Sequence, residues 1–352
     1  EYGYDDWCIA RLAEGLGRVE VAAAFDRRSG AWRHLLDPET GFMRARRNQR
    51  WIDPFDPRRV DNNYTEANAW QYRFFVPHDN DGLIAALGGD GPFAEALDGL
   101  FTAPSETTGR DQADITGLIG QYAHGNEPSH HMAWLYHYVG RPADSARWVW
   151  KILDELYSGE PDGLSGNEDC GQMSSWYVMS AAGLYPATPC SDQYLLAPPL
   201  FDRVTFNLES GETFSIEARG RPEAGEVYIA AARLDGKPLT RSYLRHGEIA
   251  AGGKLELELG ETPGDWGASP PNRPRTGVTG VYVPAAPFLV SASDRFRDSL
   301  TFELRSANPG ADIRYTYDDD ATAGAWMEYR EPLTVRESTH VRFYSEQGGH
   351  RS

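Results

Sequence analysis

Cysteine is nearly absent. Cys8, Cys170 and Cys190 make an odd set of three with no CxxC pair, which argues against a disulfide framework and against a zinc knuckle. Each reads as a small, buried apolar residue. Positive charge is scarce as well: 34 lysines and arginines face 52 aspartates and glutamates, for a net charge of −18. A chain this acidic repels nucleic acid and anionic lipid, so neither is expected as a partner. No apolar run approaches the roughly 18 residues that a membrane span needs. The chain opens Glu1-Tyr2-Gly3-Tyr4 with neither an initiator Met nor a signal peptide. It is therefore expected to be a fragment or a processed chain, and the missing signal says nothing about secretion.

Aromatic residues are plentiful, with 10 Trp, 18 Tyr and 14 Phe. Their faces stack on sugar rings and also fill cores, so the excess points towards carbohydrate without deciding it. The 352 residues suffice for two or three domains. Helical spacing runs over residues 5–36 through Ile9, Leu12, Leu16, Val19, Ala22 and Phe25, with a break expected at 26–30. Residues 37–64 are long and irregular, which suits a lid or a functional loop. A helix is expected to start within Tyr64–Phe75 and stop at Val76-Pro77. Residues 81–103, 110–123, 132–138 and 143–158 also read as helical. Another helix follows Gly171 and ends near Gly183.

The pattern changes after Pro186. Residues 204–208, 213–218 and 255–259 alternate with period two and read as antiparallel sheet. A proline-rich linker follows, and then 300–304, 313–317 and 341–344 read as a small β-sandwich. The expected division is a helical part at 1–190, a β segment at 191–267, a linker at 268–280 and a sandwich at 281–352. The Asp318-Asp319-Asp320 run is most simply a solvated turn.

Three polar loops sit at helix entrances. They hold Glu66, then Asn126 with Glu127, then Asn167 with Asp169. Taken alone, Gly166–Met173 is equally a helix cap and turn, and Glu66 is a solvated carboxylate at a helix start. Taken together, the loops offer what acetal cleavage needs. One proton donor serves the leaving oxygen, and one carboxylate activates water or attacks directly. A carboxyl beside Tyr64 and Trp70 would have its pKa raised by desolvation, which suits an acid. Asp169, in a glycine-flanked polar loop, would stay ionised and suit a base. Asn126 and Glu127 offer adjacent hard oxygens for calcium. His130 and His131 point about 100° apart on a helix, so one is expected to reach the site while the other packs.

Three stretches carry a resemblance: Tyr64–Tyr72, His124–His131 and Gly166–Tyr177. In this order they resemble the signature stretches of the glycoside hydrolase family 92 α-mannosidases, over residues 1 to about 267. The resemblance implies an (α/α)6 catalytic barrel joined to antiparallel β structure. It implies an exo-acting, inverting, calcium-dependent hydrolase that removes terminal α-1,2- or α-1,3-linked mannose from N-glycans or mannan. Glu66 would be the general acid and Asp169 the general base, with Asn167 beside it. Asn126 and Glu127 would hold Ca2+, and Trp70, Gln71, His124, His130 and Trp176 would contact the sugar. A secreted, cell-surface or periplasmic location follows from the same resemblance. Residues 281–352 resemble a chitobiase-type sandwich through Ile313–Asp318 and Val341–Tyr344. Ala67 stands where the family usually has Gly, and Asn167 where some members carry Asp. The family's amino-terminal sandwich and first barrel helices have no counterpart in these residues. The alternative is a non-catalytic, calcium-dependent sugar-binding scaffold, which would need neither Glu66 nor Asp169.

Overall fold

The computed structural model describes all residues except 48–49, 279–282, 292, 294, 309 and 318–325. The Asp318-Asp319-Asp320 run therefore lies outside the described residues. Contacts group the chain into two compact units, 1–56 with 278–352, and 57–277.

The first unit begins with α1 (Tyr2–Gly15) and α2 (Val19–Ser29). Their junction corrects the expected break at 26–30. The chain turns at Leu16–Arg18, where Gly17 takes φ +69°, and α2 runs on to Ser29. A glycine supplies that left-handed backbone without a Cβ clash. Asp6, Trp7, Ala10 and Ala13 form the buried stripe of α1, at the three- and four-residue steps of a helix face. Arg11 reaches Asp26 at 2.7 Å and Arg28 reaches Asp6 at 3.1 Å, which ties the two helices together. The irregular stretch after them is organised by buried Arg44. Its guanidinium lies 2.8 Å from Asp37 and 2.6 Å from Asp53. The C-terminal part forms two antiparallel sheets. One orders strands 288–290, 300–305 and 333–335, and the other 327–328, 312–316, 342–347 and 350–351. Phe302, Leu304 and Leu333 are its buried core.

The second unit mixes helices and sheet. A four-residue helix, α3 (Ala69–Tyr72), is closed by a capping box between Asn68 and Gln71. After it come α4 (Asn80–Ala86), α5 (Asp90–Thr102), α6 (Pro142–Glu155) and α7 (Gln172–Ala181). Met132–Val139 winds as a 3-10 helix buried on every side, and Gly140 ends it with φ +73°. Residues 110–123 are not helical as their apolar spacing suggests. Leu118–Ile119 pairs antiparallel with Tyr122–Ala123 instead. Gly117 and Gly120 decide this with φ +59° and +62°. A Cβ on Gly120 would stand 2.4 Å from the Leu100 carbonyl oxygen, so the chain turns back where only glycine fits.

The largest sheet described in this unit orders strands 237–238, 228–234, 253–260, 213–219 and 203–207. Strand 253–260 runs parallel to 213–219, and the other pairs are antiparallel. Phe214, Ile216, Ala218, Leu255, Leu257 and Leu259 point alternately into one core, as period-two patterning requires. The proline-rich stretch, expected to be a linker, is fastened as far as Gly277. Thr276 Oγ1 accepts from the Asn80 backbone at 3.2 Å, and Arg275 and Arg273 reach Asp81 and Asp90 at 2.9 and 2.6 Å.

Candidate active site

All of the sequence-derived site residues lie in the unit 57–277. The three polar loops meet through backbone. Gly125 N–H donates to the Thr116 carbonyl at 3.1 Å. A Cβ on Gly125 would lie 1.9 Å from Thr116 Oγ1 and 3.1 Å from the Ser165 carbonyl oxygen. A Cβ on Gly166 would lie 2.6 Å from the same Thr116 oxygen. The loop that carries Asn126 and Glu127 is thus pressed against the loop that carries Asn167 and Asp169, with Thr116 wedged between them. The third loop joins through Asn126, whose Nδ2 donates to the Glu66 carbonyl oxygen at 3.1 Å.

The outer residues of the cluster are Glu66, Glu127, Asn167 and Asp169, all exposed. Glu66 is not enclosed by aromatic rings as the sequence suggested. Tyr64 packs on Tyr72 instead, with ring centroids 5.8 Å apart, and the Trp70 ring lies against Gly99 of α5. Glu66, Asp169 and Cys170 take φ +54°, +53° and +55°. Non-glycine residues seldom adopt this backbone, and it costs on the order of 1–3 kcal/mol each time, so such residues gather at functional sites. The Asp169 turn is wound onto the start of α7. Gln172 N–H donates to the Asp169 carbonyl at 3.2 Å and Met173 N–H to the Glu168 carbonyl at 3.3 Å. Ser174 N–H donates to Glu168 Oε1 at 3.0 Å. Hydrogen bonds from Ser174 hold the Glu168 carboxyl below the usual range.

Beneath the carboxylates lies a buried polar and aromatic layer. Gln71, His124, His130 and Trp176 are each no more than 2% exposed. His130 Nε2 lies 2.8 Å from the His124 carbonyl. That oxygen can only accept, so Nε2 carries the proton and Nδ1 accepts from Gln172 Nε2 at 3.0 Å. Tyr157 donates its hydroxyl proton to the Met173 carbonyl, so at 2.6 Å it accepts from His124 Nε2. His124 Nδ1 then accepts from Tyr122 at 2.8 Å. His131 Nε2 donates to the Phe74 carbonyl at 2.9 Å. Burial pushes His124 down to about 2 and His130 and His131 to about 4, so all three are neutral. Trp176 Nε1 donates to the His130 carbonyl, and Gln71 and Asn68 both bond Gln121. Both ring nitrogens of His124 and His130 are thus taken by protein partners, so these residues brace the loops from below. Of the expected sugar contacts, Trp70 is half-buried.

The sequence reading missed Thr116, Gln121 and Tyr157. None has a motif of its own, and each matters through what packs on it. Among the described residues, no group of three or more His, Cys, Asp or Glu is placed to hold a metal. The Glu127 carboxylate is exposed. Asn126 Oδ1 accepts from Glu127 N–H at 3.2 Å and keeps a second lone pair. These two donors suit a hard cation that takes its other oxygens from water or a sugar.

Glu66 and Asp169, both on left-handed turns, thus stand on loops that pack against the loop of Asn126 and Glu127. A family model described as the glycosyl hydrolase family 92 catalytic domain matches residues 1–261. The chain therefore falls in the class of glycosyl hydrolase catalytic domains, and within that class it belongs to family 92. An uncharacterized secreted glycosidase of Arthroderma benhamiae is 30% identical over 293 residues, covering 76% of this chain and 36% of that protein. A family 92 α-mannosidase from Bacteroides thetaiotaomicron, solved with mannoimidazole, matches at TM-score 0.73 and 35% identity. That match covers 78% of this chain and 37% of the other. A family 92 inverting mannosidase of the same organism matches at 0.71 and 35%, over 79% and 39%. The chain thus spans between a third and two fifths of the length of these relatives.

Two outcomes test this packing. Gly125→Ala should lower stability by about 1–3 kcal/mol through overpacking. Adding Thr116→Ala should restore part of that loss, because the nearest clash disappears while the Ser165 contact stays. Urea unfolding of the unsubstituted protein and the two variants measures both, and no rescue by the second substitution would contradict the wedge. The other outcome concerns acid. His131 and His137 are buried and held down to about 4 and 3, against 6.5 when free. Below pH 6.5 the unfolded chain therefore binds protons that the folded chain does not. The stability is full above that pH and is lost as pH falls towards 4. By pH 5 the loss should be on the order of 2 kcal/mol per histidine. Unfolding midpoints that stay flat from pH 8 to 5 would contradict neutral burial.

Proposed function

We propose that this chain carries the catalytic residues of a calcium-dependent, inverting exo-α-mannosidase built on an (α/α)6 barrel. The reading rests above all on one observation. Glu66 and Asp169, two exposed carboxylates in left-handed backbone, stand on loops that both pack against the loop of Asn126 and Glu127. The mannosidase descriptions of the solved relatives support mannose as the sugar. Terminal α-1,2- or α-1,3-linked mannose of N-glycans or mannan is the proposed substrate. The secreted fungal relative supports a location outside the cytoplasm. The fold of 281–352 is proposed as the chitobiase-type module.

In this reading Glu66 gives its proton to the departing glycosidic oxygen. Asp169 takes a proton from a water that attacks the anomeric carbon from the opposite face, so the configuration inverts. Asn167 stands beside the base and orients that water by hydrogen bonding. Asn126 and Glu127 would hold calcium. The cation would supply Lewis acidity and a fixed point for the sugar hydroxyls. Trp70 offers an indole face to the ring, while Gln71, His124, His130 and Trp176 keep the floor in register.

The intact natural protein provides the tests. Glu66→Gln should slow cleavage of a mannobiose by about 10²–10⁴-fold and act far less on a dinitrophenyl mannoside, whose leaving group departs without a proton. Asp169→Asn should slow both alike, since every substrate needs an activated water. Equal losses for Glu66→Gln on the two substrates would sink the acid assignment, and no cleavage of either substrate by the unsubstituted protein, with mannose still bound, would favour a sugar-binding scaffold. Chelation should abolish turnover and calcium should restore it. Full activity after exhaustive chelation would remove the cation from the reading.

A further inference from the structure

Asn126 is one of the buried residues of the site, 5% exposed, and its side chain is engaged at both ends. Oδ1 accepts from Glu127 N–H at 3.2 Å, while Nδ2 donates to the Glu66 carbonyl oxygen at 3.1 Å. Its own backbone is fixed, because Gly125 before it sits against Thr116 and Ser165 too closely for any Cβ. Glu66 is held differently on its two sides. After it, Ala67 and Asn68 are 2% and 0% exposed, and the Asn68 side chain is locked to Gln121 at 3.0 Å. Before it, Tyr64 and Thr65 are partly or fully exposed. The carbonyl of Glu66 is thus where the strained peptide meets the fixed frame.

A φ of +54° sets the direction of the Cα–Cβ bond, and so where the carboxyl of Glu66 can reach. A non-glycine residue leaves this conformation unless its neighbours hold it. The bond from Asn126 acts on the peptide that follows Glu66, where a change in ψ would carry the carbonyl away. Because the donor is buried, breaking the bond leaves an amide N–H without a partner, which opposes its release.

We propose that Asn126 is a positioning residue for Glu66: its amide N–H holds the Glu66 carbonyl and thereby aims the carboxyl at the leaving oxygen. The proposal rests on the reading of Glu66 as the acid. It gives Asn126 a task separate from any cation, since Nδ2 cannot bind one.

Asn126→Asp separates the two tasks in the intact protein. It keeps an oxygen for Glu127 N–H and for calcium, and it removes the N–H that reaches Glu66. Turnover of a mannobiose should fall about 10²-fold, the usual effect of misplacing a reacting group. Turnover of a dinitrophenyl mannoside should fall no more than about threefold, because that leaving group needs no proton. Calcium affinity, read by calorimetry, should be kept. Asn126→Ala removes the same N–H together with Oδ1, so at saturating calcium it should slow both substrates through the lost cation ligand and the mannobiose about 10²-fold further through the lost tether, and the question stays decidable if the aspartate variant does not fold. In a Glu66→Gln background, Asn126→Asp should cost nothing further on the mannobiose. If Glu66→Gln shows the asymmetry and the Asn126 variants slow both substrates equally, the tether is overturned and the acid stands. If Glu66→Gln itself shows none, both fall together.

Discussion

The site depends on backbone meeting backbone where no side chain fits. Thr116 stands between Gly125 and Gly166, and at both glycines a Cβ would intrude on its hydroxyl oxygen. Two loops 41 residues apart in sequence, from Gly125 to Gly166, can approach this closely only if both present glycine. The approach fixes Asn126 relative to Asp169. Through the Asn126 amide it also fixes the Glu66 peptide. Side-chain packing could not do the same work, because side chains hop between rotamers while a pressed backbone has one arrangement.

Charge and burial are divided between two layers. The acidic groups stand exposed on the outer layer. The inner layer is polar but uncharged: three histidines kept neutral by burial, two glutamines, and the indole N–H of Trp176. Each buried hydrogen bond there is strong because the surroundings are poorly polarisable, and an unmade one would be costly for the same reason. A charged floor would perturb the carboxylates above it. A neutral, hydrogen-bonded floor gives rigidity without a net charge.

Much of this was legible in the sequence. Apolar spacing located α5, α6 and α7, because each buries one stripe against the core. Period-two alternation located 213–218 and 255–259. The polar loops of the site could be read as well, since glycine beside acidic residues ahead of a helix is chemically pointed. The misreadings share a cause. Leu118, Ile119 and Tyr122 have helical spacing, but Gly117 and Gly120 turn the chain through contacts with Leu100 and Ser165, residues far away in sequence. His124 and Trp176 are buried as well, a placement that spacing alone does not report. Spacing reports which residues share a face. It does not report what that face meets.

One further constraint explains why the candidate acid and base sit where glycine would be easier. A left-handed turn brings a side chain out at an angle that neither helix nor strand provides, and glycine has no side chain to present. The carboxylates must therefore occupy strained backbone, and something must hold each one there. At Asp169 the holding is local: α7 begins within the turn, so its first free N–H groups bond the carbonyls of Asp169 and Glu168. At Glu66 the helix that follows is only four residues long and is capped by Asn68, two residues on. Its N–H bonds go to Asn68, and among the described residues none of them reaches the Glu66 carbonyl. The bond must come from elsewhere in the chain, and the Asn126 amide supplies it across 60 residues of sequence. The two carboxylates are thus held by different means, one by its own helix and one by a neighbouring loop. The second depends on the Thr116 wedge in a way that the first does not.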